Sequence, residues 1–200
     1  MRVVLVNTPA ALHEPSKIVP TGILNLAAYL RQHGHEIRVI DLAHTRAPFA
    51  SAVREAVEFD PDLIGVGGLV TAYKYIIELT HEFRRALPRV PIVVGGQVTT
   101  NNEKNCFEHM AIDFLIKGYG EIPLEKLCRH VSGELDALDI PGLVFRQGDA
   151  IVENPGREFF KQMDDMPFPA YDLVDMDYYT GVLGRGYQPL TAPWSGRGSG

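Results

Sequence analysis

The sequence predicts an α/β fold: a five-stranded parallel, Rossmann-like sheet in the order 2-1-3-4-5, helices on both faces, then a β-hairpin and an extended connector. Three observations predict it. Short apolar runs alternate with helical stripes from the first residues onward, the signature of repeated βα units. The runs are near-continuously apolar, as strands covered on both faces are, with strand two alternating at Arg38. Glycine-bearing turns directly follow runs three, four and five: Gly65-Val66-Gly67-Gly68, Gly95-Gly96 and Gly118-Tyr119-Gly120-Glu121.

The elements follow in order. Val3-Val4-Leu5-Val6 is strand one. A long loop from Thr8 to Thr21, with three prolines, leads to Pro20-Thr21-Gly22. Ile23, Leu24, Ala27, Ala28 and Leu30 form a helical stripe that ends at Gly34. Ile37 to Ile40 is strand two. Phe49 to Phe59 is a helix stopped before Asp60-Pro61, and Leu63 to Val66 is strand three. Tyr73, Ile76, Ile77, Thr80, Phe83 and Leu87 repeat at helical spacing up to Pro88. Ile92-Val93-Val94 is strand four, Asn101 to Met110 a short helix, Phe114-Leu115-Ile116 strand five and Ile122 to Val131 a helix. This order of units fits the flavodoxin-like topology, whose ligand crevice lies at the carboxyl ends of strands one and three. All four glycine turns are expected there.

After about residue 133 the pattern changes. Gly142 to Asn154 reads as a hairpin turning at Gln147-Gly148-Asp149. From Lys161 onward the chain is rich in Pro, Asp, Tyr and Gly and reads as a connector with aromatic anchors. The expected division is residues 1–133, 134–160 and 161–200.

Composition excludes some classes. The chain has 200 residues, 46% of them hydrophobic, and a net charge of −6, so nucleic acid is not an expected partner. No apolar run has the length of a membrane span, and no leader is apparent, so the cytoplasm is the expected location. Cys106 and Cys128 fit neither a zinc ribbon nor a redox pair. No catalytic residue and no metal ligand stands out.

Glycine lets backbone approach a ligand closely. Several such turns at one end of a sheet make a backbone-lined platform suited to a large flat ligand. A phosphoacceptor domain of this topology needs an aspartate at the end of strand three, where Gly67-Gly68 stands. A dinucleotide site needs G-x-G-x-x-G after strand one, where Asn7-Thr8-Pro9 stands instead.

The segment from Asn7 to Asn154 resembles the cobalamin-binding (B12) domain. That family carries D-x-H-x-x-G after strand one, S-x-L after strand three and G-G after strand four. Gly95-Gly96 is similar to the last, and Gly67-Gly68-Leu69 stands at the second with glycine for serine. Gly22 lies twelve residues before Gly34, which places Lys17-Ile18-Val19-Pro20-Thr21-Gly22 at the first. The glycine is kept, Lys17 replaces the aspartate and Val19 the cobalt-ligating histidine. Valine cannot ligate a metal. The resemblance therefore implies cobalamin bound base-off and His-off, over an apolar lower face near Val19, Leu69 and Val70. Such a face would ease cycling between cob(I)alamin and methylcob(III)alamin.

The chain further resembles the N-terminal domains of B12-dependent radical S-adenosylmethionine (SAM) enzymes. Leu26-Ala27-Ala28-Tyr29-Leu30, Gly34-His35-Glu36-Ile37, Asp41, Gly95-Gly96-Gln97-Val98-Thr99, Asp113 to Glu121, Ile140 to Arg146 and Met166-Pro167-Phe168-Pro169 carry the likeness in order. The resemblance implies that Val19, Gly22, Gly67, Gly68, Leu69, Val70, Thr71, Gly95, Gly96, Gln97, Thr99, Gly118, Tyr119, Gly120 and Glu121 line the cofactor site. It implies a radical SAM barrel in cis downstream, with a [4Fe-4S] cluster and SAM, and marks this chain as a fragment of such an enzyme. The intact protein is expected to methylate an unactivated carbon or phosphorus, or to rearrange a ring. A non-enzymatic corrinoid carrier, a scaffold that has lost its ligand and an unrelated flavodoxin-like enzyme stay open.

Individual residues also have plainer readings. Thr71 and Thr99 suit helix N-caps as well as ligand contacts. Glu121 suits the positive end of a helix dipole. His13 is the candidate for a substitute cobalt ligand. Tyr178, Tyr179, Tyr187 and Trp194 suit connector anchors or contacts to a downstream domain.

Overall fold

The computed structural model describes residues 1–9, 18–45, 47–158, 160 and 165–181. One mixed sheet forms its centre, in the order β2-β1-β3-β4-β5-β6-β7. The strands are β1 Arg2–Asn7, β2 Glu36–Asp41, β3 Leu63–Gly67, β4 Ile92–Gly95, β5 Phe114–Ile116, β6 Leu143–Gln147 and β7 Ala150–Glu153. The first five are parallel, in the expected order. The hairpin is not a separate appendage: β6 pairs antiparallel with β5, Leu115 opposite Val144, so the sheet has seven strands rather than five. Pairing covers the exposed edge of β5, which an apolar Phe-Leu-Ile strand cannot leave open without risk of aggregation.

The helices are α1 Thr21–Gln32, α2 Leu42–Thr45, α3 Phe49–Phe59, α4 Tyr73–Ala86, α5 Glu103–His109, α6 Glu121–Val131 and α7 Met176–Gly181. Gly34, at φ +81, ends the first, with the amide of His35 donating to Leu30 O, as a left-handed glycine beyond a helix end does. Two apolar layers enclose the sheet. Val4, Val6, Ile64, Val66, Ile92, Val94 and Leu115 pack on α3, α4 and α5. Val3, Leu5, Leu63, Val93 and Ile116 pack on α1 and α6. Adjacent residues of one strand therefore point into different layers.

Residues 154–158, 160 and 165–181 lie across the α1/α6 layer, from the β7 edge to the β2 edge. Lys126 pairs with Glu158 at 2.6 Å, and Tyr29 meets the Phe160 ring edge-on. The amide of Ala170 donates to Leu24 O, Arg31 pairs with Asp172 at 2.8 Å, and Tyr178 lies against His44. Tyr179 is fully buried and donates to Asp41. Residues 165–181, within the segment expected as a connector, thus form a strap, with a short helix, over the domain. Trp194, Tyr187 and His13 lie outside the described residues.

Candidate functional site

The site is built from the carboxyl ends of β1, β2, β3 and β4, which the parallel register aligns in one row. Asn7 pairs with Asp41 on one side and with Gly67 on the other, and Gly67 pairs with Gly95. Val66 and Val94 point into the α3/α4/α5 layer, so Gly67 and Gly95 open onto the opposite, α1/α6 face.

The glycines divide into two kinds when each is tested with an added Cβ. At Gly68 that atom would stand 2.2 Å from Thr8 Oγ1 and 3.0 Å from Ile76 Cδ1. At Gly96, with φ +89, it would stand 3.1 Å from Gly68 O. At Gly120 it would stand 3.0 Å from Leu26 Cδ2. Gly118 takes φ +82 beneath the Arg157 side chain. These four serve the fold: they let the β3–α4 and β4–α5 loops touch and let α6 start against α1. Among the described residues, the nearest atom at Gly67 and Gly95 would be a carbonyl oxygen at 3.9 Å, and at Gly22 nothing lies within 4 Å. Close packing among the described residues does not explain these three. Gly67 and Gly95 leave a side-chain-free strip at the strand ends, the kind of cradle that a flat ligand fills.

The surrounding residues complete the rim. Leu69 is 48% and Val70 60% exposed, two large apolar side chains held in solvent on the loop after β3. Ile18, before α1, is equally exposed at 60%. Val19 is only 4% exposed and packs with the α1/α6 layer, while its carbonyl accepts the amide of Thr21 at 2.8 Å. Three exposed apolar side chains, Ile18, Leu69 and Val70, thus flank the candidate site, while Val19 is buried. Gln97 is exposed, Tyr119 is half-buried, and Glu121 is buried as the first residue of α6, where a carboxylate favours the helix dipole.

Neither threonine caps a helix. Ala72 precedes α4 and Asn102 precedes α5, neither with a side-chain cap bond. Thr71 is exposed in a turn of 3-10 helix. The Thr99 hydroxyl is buried, donating to Gly96 O at 2.8 Å and Ile116 O at 3.3 Å. It ties the end of β4 to the end of β5, which sets the spacing of the glycine turns.

Sequence reasoning passed over Asn7 as a site residue and gave no role to Asp41. Asn7 Nδ2 donates to Asp41 Oδ1 at 2.9 Å, and the Tyr179 hydroxyl donates to Asp41 Oδ2. Asp41 is 7% exposed. Burial, and then the Asp41 carboxylate, push the Tyr179 phenol well above its usual range, so it remains a donor. The signal for this network was the predicted adjacency of strands one and two, which sets their last residues side by side.

Burial also pushes the thiols up, Cys106 to about 11 and Cys128 to about 12, so both stay protonated and unreactive. Among the described residues, no three His, Cys, Asp or Glu side chains are grouped to hold a metal ion, and no helix is long and apolar enough to cross a membrane.

The B12 binding domain family matches residues 9–128. The chain belongs to that family. An uncharacterised methyltransferase of Pyrococcus horikoshii is 27% identical over 80% of this chain and 35% of its own length. Among solved structures, the radical SAM methyltransferase TsrM of Kitasatospora setae, with cobalamin and a [4Fe-4S] cluster bound, superposes with a TM-score of 0.69. It is 27% identical over 84% of this chain and 31% of its own. The cobalamin-dependent SAM radical enzyme OxsB, with aqua-cobalamin bound, has a TM-score of 0.79 at 18% identity, over 90% of this chain and 25% of its own; that likeness is one of fold. The chain spans about a third of the length of the curated relatives it matches.

Proposed function

We propose that this chain is the cobalamin-binding unit of a B12-dependent radical SAM enzyme and holds its cofactor base-off, with no protein nitrogen on cobalt. The observation that carries the reading is the strip at Gly67 and Gly95. It lies at the strand ends, and among the described residues no side chain fills it and no close packing accounts for it. Gly67, Gly95 and Gly22 form its floor and flank, and Leu69, Val70 and Ile18 offer apolar surface to the flat ring. Gly68, Gly96, Thr99, Gly118 and Gly120 shape the loops, and Gln97, Thr71, Tyr119 and Glu121 border the crevice.

Base-off, His-off binding is supported by the residue at the ligand position. Val19 has no donor atom, and its side chain is packed under α1. His13, in the loop after β1, lies outside the described residues, and His44 stacks on Tyr178 of the strap. When bound, cobalamin would supply a methyl carrier. This chain's part is to hold the ring on backbone, keep polar ligands from its lower face and exclude water with Leu69 and Val70. The methyl acceptor, an unactivated carbon or phosphorus, and the SAM and [4Fe-4S] chemistry belong to a barrel that follows in the same polypeptide. Residues 161–200 lead toward it.

The test is a visible absorption titration with hydroxocobalamin and methylcobalamin. A saturable shift of methylcobalamin to the base-off spectrum is expected. Absence of a spectral change with cobalamin in every oxidation state would refute the reading. The full gene is expected to encode C-x-x-x-C-x-x-C downstream of these residues; its absence would leave a corrinoid carrier.

A further inference from the structure

We infer that Asn7 is a positioned hydrogen-bond acceptor for the ligand of the glycine strip, held in orientation by Asp41 and, through it, by Tyr179 of the strap. The inference rests on the proposed cobalamin site and adds to it a specific polar contact, with a device that sets its direction.

The placement follows from the register. Asp41, Asn7, Gly67 and Gly95 form one row across four strands, all on the α1/α6 face. Neighbouring strands lie about 4.8 Å apart, so the Asn7 side chain stands beside whatever lies over Gly67. The row is polar at one end and bare at the other, and Asn7 sits at the junction.

The orientation follows from chemistry. An ionised carboxylate only accepts hydrogen bonds, so the group that Asn7 turns toward Asp41 is its NH2. Nδ2 donates to Asp41 Oδ1 at 2.9 Å. The amide oxygen is thereby turned from Asp41, on the side of the strip. Among the described residues, Asn7 Oδ1 accepts no hydrogen bond. The neighbouring acceptor sites are already occupied: Gly67 O takes both the amide of Thr8, at 3.2 Å, and its hydroxyl, at 2.8 Å. Among the described residues, Asn7 Oδ1 is a side-chain acceptor that remains at this end of the row.

Asp41 cannot swing away. Its second oxygen takes the hydroxyl of fully buried Tyr179, and its backbone carbonyl takes Thr45 Oγ1 at 3.1 Å. The strap thus fixes Asp41, Asp41 fixes the Asn7 amide, and the amide oxygen faces the crevice. The ligand group that fits is a neutral N–H or O–H donor at the edge of a large flat molecule. Cobalamin carries primary amides around its ring and a ribose hydroxyl on its tail, and either satisfies the contact.

The experiment is the methylcobalamin titration repeated on this 200-residue chain as Asn7→Ala, Asn7→Ser, Tyr179→Phe and the double variant Asn7→Ala/Tyr179→Phe. Urea unfolding serves as a check of folding. Asn7→Ser keeps a donor toward Asp41 but withdraws the carbonyl oxygen, so it covers the case in which Asn7→Ala does not fold. Loss of one hydrogen bond predicts Kd about tenfold weaker for either Asn7 variant. Tyr179→Phe, which leaves the amide in place but free to turn, is expected to weaken Kd about threefold. Because Tyr179 acts through Asn7, the double variant should bind no worse than Asn7→Ala, and its coupling departs from additivity. A purely structural role for Tyr179 predicts additive losses, and that result would overturn the relay. Asn7→Ser binding as tightly as the native chain would overturn the contact itself. Failure of the native chain to bind in any oxidation state refutes the cobalamin reading first, and this inference with it.

Discussion

Substituting Gly95 by valine separates the fold from the site. Gly95 ends β4 with an ordinary backbone, and an added Cβ meets only Ile116 O, at 3.9 Å. A β-branched residue at a strand end, replacing the most flexible residue, is worth about 0.5–1 kcal/mol to the fold, or about 2–3 °C in Tm for a chain of this size. The same side chain raises the floor of the strip by about 1.5 Å at Cβ alone, which a rigid ring in van der Waals contact cannot accommodate. Overpacking of that kind costs about 1–3 kcal/mol, so Kd for cobalamin should weaken by about 5- to 150-fold. Gly68→Ala makes the converse case. Its methyl would strike Thr8 Oγ1 at 2.2 Å and break the Thr8–Gly67 hydrogen bond. The loss should be about 2–4 kcal/mol of stability, and Tm should fall by about 10 °C. Calorimetry gives the stabilities and absorption titration the affinities. If Gly95→Val binds methylcobalamin as tightly as the native chain, the strip is not the floor of the site and the argument from its bareness is wrong.

Other expectations follow from particular contacts. Tyr179→Phe leaves the buried Asp41 carboxylate without one donor and should cost about 1–3 kcal/mol, with faster amide hydrogen exchange confined to residues 165–181 and the end of β2. Lys117 bridges Glu103 at 2.6 Å and Glu153 at 2.8 Å, holding α5 and β7 to the end of β5; Lys117→Met strands Glu103 half-buried and should cost about 2 kcal/mol in urea unfolding. Burial, and after it the nearby amino terminus, hold the His35 imidazole below its usual range, and its Nε2 is buried without a partner among the described residues. The unfolded chain therefore takes up a proton that the folded chain refuses, and stability should fall as pH drops below about 6.5. His35→Gln should flatten that slope, measured between pH 7.5 and 5.5.

Four of the five parallel strands were legible as short apolar runs closed by a glycine or Asn-Thr-Pro turn, strand two as the alternating Ile37-Arg38-Val39-Ile40, and their order followed from the βα alternation. The attachment of the hairpin was not. Nothing local in Leu143-Val144-Phe145 names Phe114-Leu115-Ile116 as its partner; the pairing arises because β5 would otherwise be a bare edge. The strap was hidden for a similar reason. Its Pro, Asp and Tyr composition reads as extended chain, and its order comes from long-range contacts such as Arg31–Asp172. The site was half legible. The glycine turns stood out in the sequence, but which of them make room for a ligand and which make room for another loop depends on atoms far along the chain: Thr8 for Gly68, Leu26 for Gly120. Val19 was read as lower-face surface because of its place in a motif, and its burial, at 4% exposed, was not legible in the sequence.

The strap also bears on how the chain comes to be folded as it is synthesised. Asp41 and Tyr179 are separated by 138 residues, so the acid at the end of β2 is made early and its donor very late. Until the strap emerges, β1 and β2 can pair, but the Asp41 carboxylate must stay in water, and the α1 flank has no cover from Ala170 and Tyr179. Closing so long a loop is entropically slow. The nascent domain should therefore collect as a loosened sheet, protease-sensitive along β2 and α1. It should tighten in one late step when residues 170–179 clear the ribosome, so the edge synthesised first is the edge sealed last.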